Sequence, residues 1–426
     1  MPKRISVAII GGGMAGLAAA CSLAERGIKS TLFEAAPQLG GRARRVEYKG
    51  LKLDNGQHIL LGAYRETLRL LKLAGVDEQQ ALVRLPLMLN MRKLTNQSNV
   101  SLKAWPFLPA PLHILFGFLF AKGLSVTSRF SAIKLMVWLK LQNFKLQKDE
   151  ALSTFLKRKN QTDELIQNLW EPLCLAALNT PIAQASAQVF CNVLRDSFAK
   201  KKQDSDLLLP RIDLSELLAK PLADYLSANN GEVKINHAVQ KIYNTTLTIK
   251  DKNFTFSHVI IACAPHQLEK LGITSPHFSY HPITTIYLQY AKDAKLPQAM
   301  TGLVGSLAQW VFDRGQLCGQ AGLMAVVISA HAPFETTQAA LAEKIATELR
   351  AAFPHLHDPI WHKVITEKRA TFSCEPALVS PTAMLAQNVY LAGDYVTSGN
   401  VYSDYPATIE GAVRSGVSAA NQIINS

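Results

Sequence analysis

The chain has 426 residues, 48% of them hydrophobic and 18% charged, and carries a formal net charge of +13. That length and apolar content suffice for a large core split over two or three domains, which excludes a disordered or low-complexity protein. Six cysteines, at positions 21, 174, 191, 263, 318 and 374, never form the close pairs that a zinc site or redox motif needs, so no metal site is expected and they read as reduced core thiols of a cytosolic protein.

The first apolar run, Val7 to Ile10, starts almost at Met1. It leaves no room for a cleavable secretion signal, and a cytoplasmic location is expected. Gly11-Gly12-Gly13-Met14-Ala15-Gly16 follows, then an alanine-rich helical stretch, a second apolar run Ser30 to Phe33, and Glu34. This is the βαβ fingerprint of dinucleotide binding: Gly11 permits the tight turn, Gly13 lets the backbone approach a pyrophosphate, and Gly16 lets the helix pack on the strand. Ala15 belongs to the helix start, whose free N–H groups and positive dipole end face the phosphates. Glu34 is placed to accept hydrogen bonds from both ribose hydroxyls, which disfavours a 2′-phosphate and leaves FAD or NAD. Gly40-Gly41-Arg42-Ala43 favours FAD, because in flavoproteins with two dinucleotide folds this turn places a guanidinium near the diphosphate.

Between Lys103 and Lys122 lies the longest uncharged window, with Trp105 and three prolines ahead of an apolar run from Leu112 to Phe120. The prolines leave a helix of about ten residues, against the roughly twenty needed to span a bilayer. Phe130 to Leu146 is apolar on all sides, with Lys134, Lys140 and Lys145 interspersed. These segments near 105–146 either contact a membrane, lysines snorkelling to headgroups, or form the core of a second domain. The basic residues are scattered apart from Lys200-Lys201-Lys202 and accompany no nucleic-acid motif, so the net charge points to an anionic membrane surface rather than to nucleic acid. Lys200 to Asp206 reads as a polar hinge loop.

Short strands are expected within Gly231–Asn236, Ala238–Ile242, Leu247–Ile249 and Phe254–Phe256, then a buried strand Ser257–Pro265 ending in small residues. Val239 in this stretch is a cofactor-binding candidate. Thr284–Tyr290, Leu323–Ser329 and Trp361–Glu367 read as strands and Thr336–Phe353 as a helix. Finally Val389–Ala392 empties into Gly393-Asp394, and Thr408-Ile409 opens the last helix, as a flavin's ribityl chain and pyrophosphate require; Asp394 is the ribityl candidate. The expected fold is α/β, a two-dinucleotide-binding-domain, Rossmann-like FAD fold with an inserted α+β substrate domain. Residues 1–95, 215–275 and 385–426 would make the FAD-binding domain, and 96–214 with 276–384 the substrate-binding domain.

The amino-terminal fingerprint with Gly40-Gly41-Arg42 and the carboxy-terminal Gly-Asp turn resemble the flavin amine oxidase and phytoene desaturase superfamily. Asp54-Asn55-Gly56-Gln57-His58-Ile59-Leu60-Leu61-Gly62-Ala63-Tyr64, Trp170 to Pro181 and Ala185 to Phe190 are similar to the hydroxysqualene dehydroxylases, squalene-associated FAD-dependent desaturases, over nearly the whole chain. The resemblance implies a bacterial enzyme of squalene and hopanoid biosynthesis that takes an isoprenoid lipid substrate and replaces its hydroxyl by hydride from reduced FAD. Association with squalene-pathway enzymes is expected, and the charge points to the inner face of the cytoplasmic membrane. Departing a poor leaving group needs a general acid. In related flavoproteins the segment Asp54 to His58 passes along the flavin, which makes His58 a candidate acid, or else a satisfied core histidine, with Asp54 either orienting it or packing. Glu171 is the second candidate, a carboxyl whose burial favours its protonated form, or else a helix cap or buried ion-pair partner. Tyr64, Tyr402 and Tyr405 either face a substrate cation or pack. The loop Gly399 to Ala407 departs from the family's short Gly-Leu-Pro-Ala-Thr, which leaves the reaction direction open to a carotenoid-type desaturase; amine oxidation or a non-catalytic lipid carrier are the other readings. No second glycine-rich nucleotide motif is present, so the electron donor is transient nicotinamide or an outside reductase.

Overall fold

The computed structural model describes residues 5–94, 99–397 and 405–425. Its first layer is a six-stranded sheet in the order Glu232–Lys234, Lys29–Phe33, Ser6–Ile10, His258–Ile261, Val389–Leu391, Met384–Ala386. The first five are parallel, with Ile10 beside both Phe33 and Ile261, and Ile261 beside Leu391. Only the Met384–Ala386 edge runs antiparallel. The strands are near-continuous apolar runs because both faces are covered. On one face lie the helices Met14–Ala24 and Ile409–Ile424; on the other, Leu247 and Ile249 of a three-stranded sheet (Val239–Tyr243, Thr246–Ile249, Lys252–Thr255) pack on Ala8, Ile10, Val259 and Ile261. The two helices touch through small residues. A Cβ on Gly416 would stand 2.1 Å from the Ala15 carbonyl oxygen, so glycine sets their separation.

The second layer is a seven-stranded sheet, Trp361–Phe372, Tyr280–Gln289, Leu323–Ser329, Trp310–Asp313, Met300–Val304, Met88–Lys93, Val100–Lys103. The helix Gln338–Ala352 closes one face, its Leu341, Ile345 and Leu349 packed on Ile286, Leu288, Val326 and Ile328. The helices between 112 and 198 close the other. The hairpin Met88–Lys93 and Val100–Lys103 joins this sheet through parallel pairing of Met91 with Gly302. Strand pairing with the second layer therefore begins before residue 95, where sequence placed the end of the first piece; a hairpin declares its partner sheet only through contacts some 200 residues downstream.

Lys200 to Asp206 is not a free hinge. Lys202–Ser205 forms a 3-10 turn whose Asp204 carboxylate is buried and accepts from Arg65 at 2.7 Å, and Gly62 sits so close that a Cβ would lie 1.7 Å from the Gln203 carbonyl oxygen. The apolar segments near 105–146 form the helices Leu112–Leu119 and Val126–Leu141, each burying one side (Ile114 and Phe118; Ala132, Leu135, Met136 and Leu139) while the other faces outward. No described helix is long and apolar enough to cross a membrane.

Candidate active site

The glycine turn after Ser6–Ile10 is built as its spacing implies. Gly11 adopts φ +110°, and a Cβ there would stand 2.7 Å from the Ala262 carbonyl oxygen. A Cβ on Gly16 would stand 1.9 Å from the Gly11 carbonyl oxygen, so the helix lies directly on the turn. Gly13 differs from both: a Cβ would meet nothing within 4 Å, and no side chain caps the helix it starts. The first N–H groups of Met14–Ala24, with Ala15 buried in the first turn, thus have no side-chain cap, and the turn at Gly13 stays open beside them. The Glu34 carboxylate accepts from Gly12 N–H at 2.6 Å and Ala36 N–H at 2.7 Å. His237 N–H donates to the Glu34 carbonyl at 2.9 Å, which brings the strand beginning at Val239 to the same corner.

A second contact set meets the first. Gly40 N–H donates to the Gly12 carbonyl at 2.8 Å, and Gly41, at φ +59°, backs onto Gly13 with a Cβ position 3.3 Å from its Cα. Arg42 then reaches across the molecule: one guanidinium nitrogen bonds the Ala370 carbonyl at 2.7 Å and the other the buried Asp394 carboxylate at 2.5 Å. Gly393 N–H is held by Ser415 Oγ at 3.0 Å, and Thr408 caps the helix beginning at Ile409 by accepting from Gly411 N–H. These residues fit a bound FAD. The open side of Gly13 and the uncapped helix suit a pyrophosphate; Glu34 and Val239 would hold the adenosine end, and Arg42, Gly393, Asp394, Thr408 and Ile409 the other.

The segment Asp54 to His58 runs against the second sheet. A Cβ on Gly56 would lie 3.8 Å from both His58 Cε1 and Thr285 Oγ1, and that Thr285 hydroxyl is buried without a partner, as is His266 Nδ1. His58 Nδ1 bonds the Gly56 carbonyl at 2.7 Å; burial, reinforced by the Arg42 charge, lowers its pKa below the usual 6.5. The imidazole is neutral near pH 7, with Nδ1 donating and Nε2 left as an acceptor. Sequence alone assigns His58 an ordinary histidine pKa; burial lowers it, so a proton bound at Nε2 is more readily given up.

Asp54 does not orient that ring. Its carboxylate accepts from Leu214 N–H at 2.8 Å and pairs with Arg314 at 3.4 Å, and the Tyr287 hydroxyl donates to its backbone carbonyl at 2.9 Å. Burial pushes the Asp54 carboxyl up to about 6, against the lowering pull of Arg314. Arg314 also donates to Gln57 at 2.9 Å, so the group clamps the Asp54–His58 segment rather than reacting. Arg314→Met strands a buried carboxylate and is expected to cost about 3–5 kcal/mol near pH 7 by chemical denaturation. Because a raised folded-state pKa favours the protonated form, Asp54's contribution is fully present below about 3.8 and fades as pH rises through about 6; the deficit of the variant should shrink between pH 7 and pH 5.

Glu171 begins the helix Glu171–Leu178 and is only half-buried, so it is not the buried carboxyl inferred from its apolar neighbours. Tyr64 lies beside Thr408 at the start of the last helix, and burial pushes its phenol well up. Tyr405 packs instead: its hydroxyl donates to Asp196 at 2.8 Å and the Arg414 guanidinium lies 4.4 Å from its ring centroid. Tyr402 and most of the loop from Gly399 lie outside the described residues. Sequence reasoning missed Arg314, whose partner is 260 positions away, and Glu410, whose buried carboxylate accepts from Glu66 N–H, Thr67 N–H and Thr67 Oγ at 2.8–3.1 Å and so ties the last helix to Arg65–Leu73.

The family of flavin-containing amine oxidoreductases matches residues 14–424. The hydroxysqualene dehydroxylase of Zymomonas mobilis is 28% identical, with 97% of each chain covered, and the zeta-carotene desaturase of a Synechocystis species is 23% identical over 98% of this chain and 97% of its own. A solved structure of an oxidoreductase from Methanosarcina mazei superposes with a TM-score of 0.75 at 16% identity, covering 99% of this chain and all of that one. With a Rossmann-type sheet, a cradle suited to FAD and a family match along almost its full length, the chain belongs to the flavin-containing amine oxidoreductase family and is an FAD-dependent oxidoreductase.

Proposed function

We propose that this oxidoreductase acts in isoprenoid metabolism and replaces the hydroxyl of hydroxysqualene by hydrogen, giving squalene. The reading rests on one observation: the cradle formed by the first and last parts of the chain meets the His58 segment at Arg42, within a chain matched end to end by a hydroxysqualene dehydroxylase. FAD, when bound in its reduced form, supplies the hydride that takes the hydroxyl's place.

The chain's own residues do the rest. Arg42 and Asp394 lock two distant pieces together at the cofactor's ribityl end, and the Asp54–Arg314–Gln57 clamp holds the segment that carries His58. His58 Nε2 accepts a hydrogen bond from the substrate hydroxyl in the neutral imidazole. A proton taken up from solvent on Nε2 passes to that oxygen as the C–O bond breaks, so the hydroxyl leaves as water and the carbon takes the hydride.

The test is anaerobic incubation of the purified holoenzyme with hydroxysqualene and chemically reduced FAD. Squalene and water are expected. Consumption of squalene or a carotene precursor by the oxidised enzyme, without hydroxysqualene turnover, overturns the reading in favour of desaturation.

A further inference from the structure

We infer that the outward side of the helices Leu112–Leu119 and Val126–Leu141 is a docking surface for an anionic phospholipid bilayer. None of the residues assigned to the cradle lies on these helices, so the inference does not depend on which isoprenoid is turned over.

Three observations carry it. The first is an exposed aromatic cluster. Trp105 packs on Phe116 and Phe120 with ring centroids 5.9 and 5.2 Å apart, yet all three remain exposed, and neighbouring Phe107 is 91% exposed. Aromatic rings clustered in this way ordinarily sit in a core, and such rings suit the interface between headgroups and acyl chains. Leu112, Phe116 and Phe120 fall at i, i+4, i+8, one stripe along a helix; on the packed neighbouring helix Val126, Phe130, Val137 and Leu141 are exposed, in line with Lys134.

The second is charge. Between Glu78 and Asp149 the chain has ten lysines and arginines and no aspartate or glutamate. Lys103, Lys122, Lys134 and Lys140 are exposed along this stretch. The third is tertiary: Lys202 comes from a distant part of the chain to donate to the Pro106 carbonyl at 2.6 Å, so the one lysine run of the sequence borders the aromatic loop. The nearby carboxylates are already engaged, Glu164 by the Ser125 and Ser128 hydroxyls and Asp206 by Arg84. An apolar surface framed by exposed lysines matches a bilayer of anionic lipid, acyl region against the rings and phosphates against the ammonium groups. Neither helix spans the membrane, so attachment is peripheral.

The test is flotation of the FAD-loaded full chain with vesicles of phosphatidylcholine alone or with phosphatidylglycerol added. Binding is expected with the anionic vesicles, weakening as salt rises. Phe107→Ser with Phe120→Ser should lower the partition coefficient by at least roughly tenfold, and Lys134→Glu with Lys140→Glu by about fivefold or more per lysine. Bound flavin and turnover of detergent-dispersed substrate should be unchanged in both variants. The inference is overturned if the wild type ignores anionic vesicles, if the variants float as the wild type does, or if the aromatic variant instead abolishes a dimer in sedimentation without affecting flotation. Vesicle binding by a protein inactive on hydroxysqualene would leave the docking surface standing and remove only the proposed reaction.

Discussion

Gly13→Ala is expected to leave a folded protein that no longer holds FAD well. Gly13 sits at φ −76° and a Cβ there meets no protein atom within 4 Å, so neither backbone strain nor steric conflict opposes alanine in the apoprotein. The only intrinsic cost is that alanine is a poorer residue than glycine ahead of a helix, up to about 1 kcal/mol. The methyl projects into the space that suits the pyrophosphate, and overpacking a close contact costs about 1–3 kcal/mol, roughly a five- to 150-fold rise in Kd. Gly16→Ala is the contrasting case. Its Cβ would stand 1.9 Å from the Gly11 carbonyl oxygen, so the loss appears in the apoprotein's own melting temperature. Apoprotein melting and FAD titration of the two variants separate a glycine needed for the ligand from a glycine needed for the fold. If Gly13→Ala binds FAD as the wild type does, the cradle is misassigned.

The same contrast shows what the sequence discloses. Local rules placed the glycine turn, the strand end at Glu34, the Gly393-Asp394 turn and the start of the last helix near Thr408, because each depends on a backbone geometry set by residues within a few positions. The strand Leu323–Ser329 was legible to the residue, since a buried strand flanked by glycine needs no partner to be recognised. What escaped was set at a distance. Arg314 gives no local signal of neutralising Asp54, nor Glu410 of capping a helix that begins at Arg65, and the hairpin from Met88 finds its sheet only when Gly302 arrives. His58 was located from its neighbours, yet its protonation state could not be read, because the Arg42 charge and the burial that lower its pKa come from tertiary packing.

That lowered pKa makes His58 the residue whose replacement should cost the most turnover and whose titration should be visible in it. His58→Ala is expected to keep bound FAD and the fold, since the lost bond to the Gly56 carbonyl lies within its own loop, while removal of a proton donor lowers turnover by about 10²–10⁴-fold. The sign of the pH dependence follows from the site. Only the imidazolium can protonate the leaving oxygen, and burial with the Arg42 charge shifts its population toward pH values below the usual 6.5. Turnover of the wild type on hydroxysqualene should therefore rise as pH falls through that lowered value, and the rise should vanish in His58→Ala. Weakening the Arg42 charge gives an independent reading: Arg42→Met should move the inflection toward higher pH, provided FAD is saturating. Glu171→Gln should leave the profile in place, because His58 and not Glu171 delivers the proton in this reading. A flat profile in the wild type, or one abolished by Glu171→Gln and untouched by His58→Ala, would transfer the proton delivery from the histidine to the glutamate and leave His58 as a loop fastener.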